Sequence, residues 1–280
     1  MKHLYFFLIV SFCSSLLSCT NDDSFLAHDF ETQQNRALSI YTGNYNIYQI
    51  AKKVSLPSAS TTKLNSVITN CCNDYPVIKW LHNYAKDKKY NFSDVNITSK
   101  GMNGNPAAYD HSTKILSFLT SNAINNTTYP EEFIHMNQDN VYFGGIGTYE
   151  KTAMLNIEFE SKFIQDVIHA PYGTQLVGSG NKYYNSYINW VYSFNPTSSF
   201  PNFTAVESGY NNISWWQFAQ DFKESSPSPY KDYVMSNVLV AKLIDIIGNN
   251  FGKNTKVSLW LVQKTVQSYP KVSNIKEKHL

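Results

Sequence analysis

Apolar residues recur at three- and four-residue steps through TKLNSVITNCCND and YPVIKWLHNYAKDKKY, which predicts helices within residues 31–90. Asp74 is placed to cap the second of these ahead of Pro76, a residue tolerated in a first helical turn. His82 lies on the same helix and reads as a surface or boundary residue. Between residues 91 and 120 the period changes. NFSDVNITS and KILSFLTS are short and rich in β-branched and aromatic residues, with MNGNPAAYD between them, so two or three strands with a turn are expected. His111, in YDHSTK, falls in the turn that opens the last strand. The helical period returns at YPEEFIHMNQ and again around 151–169, 181–194, 214–224, 229–249 and 256–268, with Pro196, Pro201, Pro227 and Pro229 as punctuation. The expected class is α+β, mostly α: a single α-rich domain over 31–280, built on a small sheet with helical N- and C-terminal parts.

The start of the chain stands outside that domain. Lys2 and His3 precede an apolar run over residues 4–17, too short to span a bilayer comfortably, which is the layout of a secretory signal. Leu16-Leu17-Ser18-Cys19 resembles a bacterial lipobox. The resemblance implies that residues 1–18 are a lipoprotein signal peptide, that Cys19 carries lipid and that residues 19–30 form a tether. Asp22 and Asp23 resemble the acidic signals that send some lipoproteins to the outer face of the outer membrane. The expected location is therefore the bacterial cell surface, anchored in the outer membrane.

Composition narrows the partners. A net charge of +2 argues neither for nucleic acid nor for a polybasic membrane patch. Once Cys19 is lipidated, the cysteines left are the adjacent Cys71 and Cys72, which cannot easily bridge and lack metal-site spacing. Both read as buried or inert thiols. The 20 tyrosines and 17 phenylalanines suit a large aromatic core or a carbohydrate-facing surface. Trp215 and Trp216 fit either use, with core packing the plainer reading. FGGIGTYE lacks the strand-then-helix setting of a phosphate loop, and no Gly-x-Ser-x-Gly elbow occurs. A carboxylate-bridged di-iron bundle needs Glu-x-x-His twice, and a plausible core helix carries it once, as Glu132-x-x-His135.

Candidate chemistry concentrates in YPEEFIHMNQ. At helical spacing, Glu131, Glu132, His135, Gln138 and Asp139 fall within an arc of about 120°. Glu131 and His135, four apart, stack on one face. The run resembles the helix of zincin metallopeptidases, where His-Glu-x-x-His supplies two zinc ligands and a base. The resemblance implies Glu131 as first ligand, Glu132 as base and His135 as second ligand, with a carboxylate where the family has histidine. Zinc accepts carboxylate oxygen, and the harder site also admits manganese or iron. In the gluzincin branch a glutamate on a later helix is the third ligand, and NIEFESKFIQDVIHA offers Glu158 and Glu160. Glu160 falls inside an apolar arc of about 220°, where a carboxylate must be paired or bound to a cation. Glu158 falls outside it and has a plain alternative as an i,i+4 partner of Lys162. Glu160 is therefore the preferred third ligand, with a main-chain amide or a lysine as its structural alternative.

KILSFLTS, just before the metal helix, is expected as the edge strand that lays a peptide substrate along the cleft. A structural account competes: Thr128 as N-cap and Glu131 three residues on form a capping-box pattern, and both glutamates suit a helix N-terminus. The expected function is a surface-anchored, zincin-like, metal-dependent peptidase or hydrolase acting on a peptide or protein. The alternative is a non-catalytic surface lipoprotein, either a pseudo-peptidase or a glycan- or protein-binding module.

Overall fold

The computed structural model describes residues 45–170, 180–194, 197–226 and 230–251. The expected signal peptide, the expected lipidation at Cys19, the expected tether and the helix expected at 256–268 lie outside them. The described part is α+β and mostly helical. None of its helices is long and apolar enough to cross a membrane.

Helix α1 (Ser58–Asp74) buries Leu64, Ile68, Cys71 and Cys72, one stripe at helical spacing. Helix α2 (Pro76–Lys88) begins with proline, whose fixed φ suits a first turn, and ends where Lys89 turns left-handed at φ 59°. Tyr75, rather than Asp74, occupies its N-cap, without a side-chain bond. His82 is not at the surface: it is fully buried beside Ile78, Leu81 and Ala85. Its Nε2 meets Gln49 Oε1 at 2.8 Å, and its ring stands edge-on to Tyr45. Both cysteines are buried and free, and burial pushes the Cys71 thiol up to about 12.

The sheet has three strands, β1 (Asp94–Ile97), β2 (Ala107–Asp110) and β3 (Ile115–Phe118), in the order β1-β3-β2. β1 runs parallel to β3, and β2 antiparallel. The KILSFLTS strand is thus central, and its buried Leu116 and Phe118 anchor the sheet on the core. The far side of β1 is occupied by residues 50–55, whose main chain bonds to Phe92 and Val95. That leaves β2, from the AAYD stretch, as the edge beside the following helix.

Helix α3 (Thr128–Val141) packs on β2 and on α4 (Met154–His169). The outer face of α4 meets α5 (Tyr184–Tyr192) and, beyond α6 (Phe203–Glu207), α7 (Trp215–Ser225). This contact is aromatic: Phe159 stands 4.7 Å from Trp215, Phe163 4.9 Å from Trp190, and Trp190 stacks on Phe218 at 5.0 Å. Trp215 is thereby a core residue. The helix expected over 229–249 is not continuous. A short 3-10 turn, Tyr230–Asp232, is followed by irregular chain and then by helical residues 242–251, here α8. Side chains of α4 interrupt it. Asn156 donates to Ser236 O and accepts from Ser236 N at 2.8 and 2.9 Å, so that stretch bonds to α4 rather than to itself.

Candidate metal centre

The start of α3 is organised by Asn125, whose Oδ1 accepts from the N–H groups of Thr127 and Thr128 at 2.9 and 3.0 Å. Thr128 Oγ1 donates to Ala123 O. The N-cap is Thr127 and makes no side-chain bond, so the expected Thr128–Glu131 capping box does not form. Glu131 is released from that duty and pairs with Lys162 of α4.

Glu131, His135 and Glu158 converge: one donor atom from each lies within 4.8 Å of the other two. His135 Nε2 stands 3.7 Å from Glu158 Oε2. Its Nδ1 lies 2.8 Å from Gln138 Oε1, which places the proton of the neutral ring on Nδ1 and leaves Nε2 of that form free to donate a lone pair. Gln138 cannot turn, because its Nε2 donates to Ile157 O at 2.9 Å and to Glu160 Oε2 at 2.8 Å.

Glu160 is not among the converging groups. It is fully buried, as its place in the apolar arc required, but main-chain amides and polar neighbours meet its need. Oε1 accepts from the N–H groups of Leu243 and Ile244 at 2.8 and 3.0 Å, capping α8 from another helix. Oε2 accepts from Gln138 and, at 2.8 Å, from Tyr142 OH. The preference for Glu160 as third ligand is corrected to Glu158, which is nearly buried yet makes no i,i+4 pair with Lys162, since that lysine reaches across to Glu131.

Glu132 lies beside the group and accepts the Tyr109 N–H of β2 through Oε2 at 2.6 Å. Burial pushes its carboxyl up to about 7. Glu158 is likewise raised by burial, against the pull of His135 and Lys162. For Glu131, burial is outweighed by Lys162 and His135, and its carboxyl sits below the ordinary range. For His135, burial is outweighed by Glu158, Glu132 and Glu131, and the imidazole is held above its ordinary value. Farther along α3, Asp139 accepts from Tyr109 OH and Ile146 N, both at 2.9 Å. That second contact needs Gly145, at φ 81°, because a Cβ there would stand 2.6 Å from Asp139 Oδ1.

These groups line a cavity of about 460 Å³, bounded by residues of β2, α3 and α4 together with Tyr230 and Tyr233. Two carboxylates and an imidazole fit zinc or a harder divalent ion. Ligands on one zinc stand about 3.3 Å apart, so side-chain closure of about 1 Å is required. Sequence reasoning did not find Tyr230, Tyr233 or the role of Gln138. Gln138 lay on the polar arc of α3, whereas nothing local marks the two tyrosines.

No protein-family model matches the chain. Searches of curated proteins and of solved structures likewise found no match.

Proposed function

We propose that the chain is a metal-dependent hydrolase acting on peptides, of zincin-like build, displayed at the cell surface through lipid on Cys19. The observation that carries the reading is the convergence of Glu131, His135 and Glu158 from two helices onto one cavity, beside a sheet edge, with Glu132 next to the ligands. The order of antiparallel edge strand, central strand, metal helix and glutamate helix supports the zincin-like build.

A bound divalent ion would polarise the scissile carbonyl and acidify a water. The chain's own groups do the rest. Glu131, His135 and Glu158 hold the ion. Glu132, poised near neutrality, accepts the proton of the attacking water and passes it to the leaving amine. The bond from Leu119 N–H to Pro106 O, 2.9 Å, sets the ladder phase and turns the main-chain groups of Ala107 and Tyr109 outward, where Glu132 holds the Tyr109 N–H and the Ala107 groups and the Tyr109 C=O face away from β3. An extended peptide can add to that edge. Tyr230 and Tyr233, which line the same cavity, are the candidate hydroxyl donors to the carbonyl oxygen.

One feature favours the non-catalytic alternative. Lys162 on Glu131, and the Tyr109 N–H on Glu132, give both glutamates structural partners without an ion. Elemental analysis of the full chain, purified in detergent, separates the readings. The hydrolase reading expects about one transition-metal ion per chain, lost in a Glu131→Ala, His135→Ala double variant. It also expects that Glu132→Gln retains the ion and loses peptide hydrolysis. Equal, negligible metal in both proteins would leave the non-catalytic module.

A further inference from the structure

The cavity's acidic group already contains a cation of its own. Lys162 stands one turn after Glu158 on α4, and its ammonium lies on Glu131 Oε1 with the side chain only 13% exposed. An oxygen that accepts an ammonium is not available to a metal ion, and two cations cannot share one carboxylate group at that separation without strong repulsion. One turn further on, Gln165 is fully buried, and neither its amide nitrogen nor its oxygen has a hydrogen-bond partner. That amide nevertheless lies near enough to Glu131 to help hold its carboxyl low. A buried, unpartnered amide is costly unless a second arrangement uses it.

We propose that Lys162 is a removable internal cation, so that metal uptake is an exchange. The ammonium neutralises Glu131 in the unloaded centre and swings out when a divalent ion arrives, and the Gln165 amide then takes over the outer oxygen of Glu131. The inference rests on the metal-centre reading above and concerns its regulation. It makes the resting centre a closed, nearly charge-compensated cluster rather than an open acidic pocket. It also makes loading depend on how firmly the lysine is held.

Two measurements on the full chain in detergent test it. Trace acetylation with mass-spectrometric mapping, without and with saturating zinc, should show Lys162 labelled several-fold faster in the loaded protein, with the other lysines unchanged. Competition against a chromophoric chelator should show Lys162→Met binding zinc about tenfold tighter than the unaltered chain or better, and Lys162→Arg gaining nothing. Zinc binding with Lys162 labelling unchanged, or with Lys162→Met affinity equal or lower, overturns the exchange and leaves the centre standing. No zinc bound by either protein overturns the centre and the exchange together. The labelling arm uses the unaltered chain, so a poorly folding variant cannot obscure the result.

Discussion

Glu158 and Glu160 lie two residues apart on one helix, and their replacement by alanine should divide binding from folding. Glu160→Ala removes a buried carboxylate that accepts four hydrogen bonds, two of them from the main chain at the start of α8. Bonds to a charged acceptor are worth about 1.5–3 kcal/mol net. Part of that is offset because burial raises the Glu160 pKa, so its charge is held at some cost. A loss of about 4 kcal/mol results, within the range for removing one partner from a buried charged group. At about 2–4 °C per kcal/mol for a body of this size, Tm should fall by about 10 °C. Glu158 makes one long ionic contact, 3.7 Å to His135, and its pKa is raised by burial. Its loss should change stability by less than about 1 kcal/mol in either direction. Zinc affinity should run the other way. Glu158→Ala should lose more than about a hundredfold. Glu160→Ala should lose about tenfold, because it acts on His135 only through Gln138. Thermal unfolding by circular dichroism and chelator competition measure the two axes. The assignment is refuted if Glu158→Ala binds zinc normally, or if Glu160→Ala melts like the unaltered chain.

Three further outcomes are expected. Glu132 is an acid whose folded pKa, about 7, lies above its ordinary 4.5, so its stabilising contribution is complete below 4.5 and lost as pH rises through 7. Glu132→Gln, whose Oε1 can still accept the Tyr109 N–H, should therefore gain roughly 3 kcal/mol on the unaltered chain between pH 4 and pH 8 in urea melts; a pH-independent gap would contradict this. His82 is a base lowered from 6.5 to about 4 by burial and then Lys86, so its contribution is complete above 6.5 and lost as pH falls towards 4. Its ring resonances in NMR should titrate near 4, and a midpoint near 6.5 would mean that the ring is accessible. Gly209 sits at φ 72°, and a Cβ there would stand 1.8 Å from Ile213 O, so Gly209→Ala should cost more than about 2 kcal/mol by thermal denaturation, and a change within about 0.5 would be inconsistent with this turn.

Much of the helical framework was legible because it obeys a local period. The stripes of α1 and α2 can be read one turn at a time, and so can the pairing of Glu131 with His135 across one turn of α3. Elements fixed by distant partners were not legible. AAYD has no strand-like alternation, and it becomes β2 by pairing with β3 and giving its Tyr109 N–H to Glu132. Residues 233–241 carry a helical pattern but surrender it to Asn156, 80 positions away. The exchange of Glu160 for Glu158 has the same origin. Glu160 does lie in the interior, inside the apolar arc of α4. What neutralises it there is a helix N-terminus 83 positions later, which no local pattern announces. His82 reads as a surface residue because a histidine in a polar-looking helix carries no local sign that the half-buried Gln49, 33 positions earlier, meets its ring.

The two carboxylate networks on α3 and α4 differ in a way that bears on function. Around Glu160, each oxygen accepts two hydrogen bonds, and Gln138 and Tyr142 are themselves held. About one turn away, Glu158 has only a long contact, Gln165 and Ser161 are buried without partners, and Glu132 and Glu158 are both pushed towards protonation by burial. The same pair of helices therefore satisfies one buried acid completely and leaves its neighbours short. Native interiors rarely tolerate such a shortage, and it concentrates where a ligand completes the set. A purely structural role for Glu131, His135 and Glu158 would call for the arrangement seen around Glu160. Glu158 and Lys162 line the cavity, so a cation entering there would reach the acid with the fewest partners, as the metal-centre proposal requires.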